Sequence, residues 1–182
     1  MTPTNVPSSG RPEQLARIDA LPQPEALAAF LRCCGSRRWA EAMVRGRPYG
    51  DEPHLLAAAG RAFAPLQRAD WLEAFSHHPR IGERSVLAAR FPTTADWSAA
   101  EQADVAGASE DVLDALLQAN REYQARFGYI FIVCASGKSA GEMLARLRER
   151  LPNQTEAELE IAAAEQRKIT AIRLKKLLSE GP

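Results

Sequence analysis

Of the three histidines, His78 has the surroundings best suited to moving a proton. It lies in Ser76-His-His-Pro-Arg-Ile-Gly82, where Pro79 stiffens the backbone after it and biases His78 away from helical angles. An imidazole titrates at about 6.5 when unperturbed, so it can give or take a proton near neutrality. A surface or capping histidine is the plainer alternative, and these residues alone leave both open. Ser98-Ala-Ala-Glu101 has the spacing of a helix capping box, which would fully account for it. A carboxylate at a helix start can also face a cleft, where first-turn amides bind anions. Arg173 shares a helical face with Ile169 and Leu177, four residues to either side. It reads either as an arginine snorkelling to water or as a guanidinium reaching a carboxylate in a cleft.

Other chemistries find less support. Gly137-Lys138-Ser139 opens a helix after an apolar run, but a phosphate-binding loop needs a glycine at position 132, which is Ile. Ser139 and Glu142 read better as a capping box. His77 and His78 are adjacent and point apart on regular structure, and no metal-ligand spacing of His or Cys occurs. No metal and no cofactor are expected. Lys plus Arg and Asp plus Glu number 23 each, so no net positive field supports nucleic-acid binding. Cys33, Cys34 and Cys134 make a poor disulfide framework and suggest a reducing compartment. No apolar run approaches the roughly 20 residues that span a bilayer, and the N-terminus lacks a hydrophobic signal core. The expectation is a cytoplasmic protein with no membrane partner.

The elements that must position these groups are helical. Residues 1–14, rich in Pro, Ser, Thr and Gly at their start, read as a disordered leader, and 15–180 as one domain. Leu27, Phe30, Leu31 and Cys34 recur at helical spacing, with Gly35 as a stop. Short helices follow at Trp39 to Val44 and Leu55 to Phe63, then one through Trp71 and Phe75 that Pro79 should end. Arg80 to Trp97 is irregular, with one short helix expected from Ser85 to Arg90. Helical spacing resumes near Val105 and runs to Phe127, where Gly128 is a fitting cap. Tyr129-Ile-Phe-Ile-Val-Cys134 has strand length but no second run to pair with, so it reads as a buried extended connector. Helices from Ser139 to Leu151 and Thr155 to Leu178 complete an all-α bundle.

The order of motifs then points to one family. His78-Pro79, Ser98-x-x-Glu101-Gln102, Asn120-Arg-Glu-Tyr-Gln-Ala-Arg-Phe-Gly128, Phe131-Ile-Val-Cys-Ala135, Glu156-Ala-Glu-Leu-Glu160 and Ile172-Arg-Leu174 follow one another along the chain. This series resembles the decarboxylases of 2-oxo-4-hydroxy-4-carboxy-5-ureidoimidazoline (OHCU) in urate breakdown. His78 to Gly82 is similar to the bacterial form. The resemblance spans Leu15 to Leu178 and implies a helical bundle, a homodimer, and cofactor-free conversion of OHCU to (S)-allantoin. It implies that His78 is the catalytic proton donor and that Glu101 is its partner carboxylate; with that acid and a substrate carboxylate both beside it, a protonated imidazole is the expected arrangement. By the same resemblance Ser98, Gln102 and Arg173 hold the substrate, and Pro79, Ala99 and Ala100 line the pocket. Backbone groups of Phe131, Ile132, Val133, Cys134 and Ala135 contact the ring and ureido amides. The rival readings are a lyase or hydrolase of another ureido acid, and a non-catalytic helical interaction module.

Overall fold

The computed structural model describes residues 10–79 and 110–180, with the backbone alone at 10–12, 110, 111 and 113. Among these residues there are eight helices and no strand, as the helical spacing predicts. They are α1 (Gly10–Ala20), α2 (Gln23–Cys33), α3 (Arg37–Arg45), α4 (Glu52–Phe63), α5 (Arg68–Ser76), α6 (Glu110–Phe127), α7 (Ala140–Arg150) and α8 (Thr155–Glu180). Ser98, Ala99, Ala100, Glu101 and Gln102, the expected helix at Ser85 to Arg90 and the start near Val105 lie outside the described residues.

Local chemistry accounts for most of the boundaries. Ser36 caps α3 by accepting from the Trp39 N–H, and Asp51 caps α4 by accepting from the His54 N–H at 2.8 Å. The expected capping box opens α7: the Ser139 hydroxyl accepts from the Glu142 N–H, and Glu142 Oε2 accepts from the Ser139 N–H at 2.8 Å. Gly128 closes α6 with φ +83°, a conformation that favours a residue without Cβ. α5 stops before Pro79 as expected. Its last turn tightens, with His77 and His78 N–H donating to the Ala74 and Phe75 carbonyls three residues back. Helical order begins at Gly10, inside the stretch expected to be a disordered leader. Leu15 and Ile18 are buried, and their packing draws the preceding turn into α1.

α8 is the common partner of α1, α2, α4 and α5, while α6 and α7 pair with each other. An aromatic stack welds α3, α4 and α5: Phe63 lies parallel to Trp39 at 5.5 Å and to Trp71 at 5.4 Å. From α8 the Arg167 guanidinium covers the Phe63 and Trp71 rings, a cation–π contact that seats α8 on this layer. The buried face of α8 is not wholly apolar. Glu158, Gln166, Thr170 and Arg173 all lie on it. Buried polar groups of this kind require partners, and those partners define the site.

Candidate active site

His78 leaves the end of α5 half-buried and turns its ring onto α8. Its Nε2 is 2.7 Å from Gln166 Oε1. Gln166 Nε2 donates to the Thr170 hydroxyl at 3.2 Å, and that hydroxyl donates to the Gln166 carbonyl oxygen at 2.9 Å. Arg173, one turn further along α8, is only 2% exposed, which rules out snorkelling. Its Nη1 lies 3.5 Å from the Arg32 carbonyl oxygen. Burial, then the nearby Arg173 cation, push the His78 imidazole down to about 3, only partly offset by the Gln166 hydrogen bond. Among the described residues this favours a neutral ring, whereas the expected protonated imidazole depends on Glu101, which lies outside them.

Gly35, between α2 and α3, packs beneath the neighbouring histidine. A Cβ there would stand 2.5 Å from His77 Cγ. The root of a ring has little freedom to move aside, so Gly35→Ala is expected to displace the His77-His78 junction. Misplacement on the ångström scale costs up to about 10²-fold in rate. Steady-state kinetics should show a fall in kcat of at least about tenfold with unchanged far-ultraviolet dichroism. Unaltered kcat would show that the junction tolerates the shift.

The connector, 129–135, is irregular rather than paired into a sheet, as expected. Its backbone groups are satisfied by side chains instead. The Phe131 N–H donates to Asn120 Oδ1 at 2.9 Å, and the Ile132 carbonyl accepts from Arg150 Nη1 at 2.8 Å. The Cys134 N–H donates to Glu165 Oε2 at 2.7 Å, and its carbonyl accepts from Lys138 Nζ at 2.7 Å. Among the described residues no hydrogen bond reaches the N–H or C=O of Val133. Beneath the connector Glu158, fully buried, accepts from Arg150 Nε at 2.8 Å, from Asn153 Nδ2 at 2.8 Å and from the Tyr123 hydroxyl. Glu165 and Gln166 are consecutive, so one turn of α8 holds both the connector and His78.

The structure thus brings together His78, Arg173 and, through α8, the segment Phe131 to Ala135. Pro79 is buried beside His78. A separate cavity of about 330 Å³ lies among Val133, Arg146, Glu149, Arg150 and Ile161 and takes in neither His78 nor Arg173. Sequence reasoning passed over Gln166 and Thr170, and took Gly35 only as a helix stop. Gln166 precedes Arg173 by seven residues, two helical turns, and that spacing was the available signal. Asn120, Tyr123 and Glu158 stood inside quoted motifs without an assigned role.

Comparison with known proteins follows the same lines. The family model for OHCU decarboxylase matches residues 19–175. The uric acid degradation bifunctional protein TTL of Arabidopsis thaliana is 41% identical over 149 residues, which cover 81% of this chain and 46% of the plant protein. The chain therefore spans about half the length of that relative. The 2-oxo-4-hydroxy-4-carboxy-5-ureidoimidazoline decarboxylase of Amia calva is 32% identical over 76% of this chain and 79% of its own. A crystal structure of OHCU decarboxylase in the presence of (S)-allantoin superposes with a TM-score of 0.71 at 39% identity, covering 83% of this chain and 97% of that one. The bacterial character expected from His78 to Gly82 is not borne out, since Bacillus relatives match at 26% and 27%.

Proposed function

The chain belongs to the OHCU decarboxylase family, and on that premise we propose that it converts OHCU to (S)-allantoin and carbon dioxide. One observation carries the reading furthest. Adjacent residues of α8, Glu165 and Gln166, hold the Cys134 amide and the His78 imidazole, each at 2.7 Å, with Arg173 buried two turns on. A proton carrier and a stretch of backbone are thereby held by one turn of α8, with a guanidinium further along the same helix.

The substrate carries a hydroxyl and a carboxylate on one carbon, next to a ring C=N bond. As carbon dioxide leaves, the pair from the breaking C–C bond forms a C=C bond and the C=N pair moves onto nitrogen, which takes a proton from water. The substrate is its own electron sink. The resulting enol must then lose its hydroxyl proton and gain one at carbon from a single face. Arg173 would bind the carboxylate and orient that bond across the ring plane. The free N–H and C=O of Val133 would meet the amides of the ring and ureido group, as an edge strand meets its neighbour. A neutral His78 can take the hydroxyl proton and return it to carbon. Glu101 is proposed as its partner carboxylate, with Ser98 and Gln102 on the substrate and Pro79, Ala99 and Ala100 lining the pocket. The reading includes a cytoplasmic homodimer with no nucleic-acid or membrane partner. Balanced charge supports it, and none of the described helices is long and apolar enough to cross a membrane.

Purified protein added to freshly generated OHCU should speed carbon dioxide release, one per substrate consumed. No acceleration would overturn the proposal, and acceleration of a hydrolysis without carbon dioxide would point to another ureido acid. The pH dependence has a definite sign. Since the free imidazole titrates near 3 rather than 6.5, kcat/KM should stay level as pH rises through 6.5 and fall only on the acid side, as the ring gains a proton. A decline on raising pH through that range would mean that the protonated ring is the active form.

A further inference from the structure

We propose that Gln166, held by Thr170, is a positioning residue that fixes His78 as the Nε2–H tautomer and so makes Nδ1 the atom that carries the proton. The inference rests on the reading of His78 as the proton carrier and adds to it which nitrogen works and what decides this.

The assignment follows from a chain of donors and acceptors that starts at the Thr170 hydroxyl. The Thr170 hydroxyl has one hydrogen, and it points at the Gln166 carbonyl 2.9 Å away. The lone pairs of that hydroxyl then face the Gln166 side chain, and only the amide NH2 can donate to them, at 3.2 Å. This turns Oε1 of Gln166 toward His78. An oxygen acceptor 2.7 Å from Nε2 requires a hydrogen on that nitrogen. In a neutral imidazole the other nitrogen, Nδ1, then holds the lone pair. Gln166 and Thr170 are fully buried, so water does not compete for either partner.

The groups around this chain reinforce it. The Cys34 thiol lies against Thr170 and is pushed up to about 11 by burial, so it stays protonated and adds no charge. Among the described residues, Arg173 and His77 are the charged or titratable groups bearing on the ring, from α8 and from its own junction, and both disfavour a second proton; Glu101, proposed as its partner carboxylate, would favour one. At Nε2, Gln166 therefore supports the ring with a dipole rather than a charge. The substrate hydroxyl proton moves to Nδ1, giving an imidazolium. The same nitrogen then delivers it to carbon and the ring returns to neutral, so no proton passes through Nε2.

The test combines nitrogen NMR of labelled protein with kinetics on wild type, Gln166→Met, Gln166→Glu and His78→Ala. The wild-type spectrum at neutral pH should show one His78 tautomer, protonated at Nε2. Gln166→Met should mix the tautomers and lower kcat by about tenfold, with KM within about twofold. Gln166→Glu keeps an oxygen acceptor and adds a charge. It should retain the Nε2–H form and move the acid limb of kcat/KM upward by at least about one pH unit. An Nδ1–H ring in the wild type, or variants with the wild-type tautomer and acid limb, would overturn the inference. The wild-type spectrum decides even where a variant does not fold. His78→Ala separates the two readings: if it retains turnover, His78 is not the proton carrier, whatever the tautomer. If it loses turnover while the Gln166 variants shift nothing, only the role of Gln166 falls.

Discussion

Replacing His78 with alanine is expected to lower turnover at saturating substrate by at least about 10²-fold, the usual worth of a positioned proton carrier. The size of the effect follows from the division of labour at the site. Loss of carbon dioxide draws on the substrate's own C=N bond, whereas the proton must be moved by the protein. Arg173 and the connector would remain to bind and orient the substrate, so KM should change far less than kcat. The ring lies at the edge of the bundle, and the core formed by Trp39, Phe63, Trp71 and Phe75 does not depend on it. The variant should therefore stay folded, with its near-ultraviolet dichroism retained. Its cost is an unmatched Gln166 oxygen, on the order of 1–3 kcal/mol. Turnover near that of the wild type would remove His78 from the mechanism.

The second large effect concerns stability. Glu158→Gln preserves shape and should still destabilise the fold by about 3–5 kcal/mol, because it strands a buried cation. Arg150 is 9% exposed and Glu158 fully buried, and Arg150 reaches the carboxylate through Nη2 at 2.5 Å as well as through Nε. Burial, then the hydrogen bond to Glu158, keep the Tyr123 hydroxyl protonated as a donor to the same carboxylate. With the negative charge removed, Arg150 retains the Ile132 carbonyl as an acceptor and loses its counterion. Urea denaturation should show a lower midpoint at an unchanged slope. Arg150→Met combined with Glu158→Leu should recover part of the loss, since an apolar pair owes no desolvation cost. An unchanged midpoint for Glu158→Gln would mean that water reaches the pair.

Both predictions bear on what could be read in the residue order. Helices with an apolar stripe and a cap were legible from spacing, as was the Ser139–Glu142 box. The segment 129–135 was legible as a connector for want of a partner run. Proline 79 marked the junction that carries His78. The supports of the site were hidden, for a physical reason. Gln166, Thr170 and Glu158 interrupt the buried face of α8 with polar residues, and in one dimension such residues look solvent-facing. Their partners come from elsewhere: His78 is 88 residues from Gln166, and Tyr123 is 35 from Glu158. The protonation state of His78 was not legible, because it depends on burial and on Arg173, neither of which is visible before folding.

The most direct measurement follows circular dichroism while urate is oxidised in a coupled reaction, with and without the purified chain. A protein that delivers one proton to one face should speed the loss of the OHCU signal and leave the spectrum of (S)-allantoin, with His78→Ala giving neither effect. Allantoin that appears no faster, or that appears without handedness, would contradict the account.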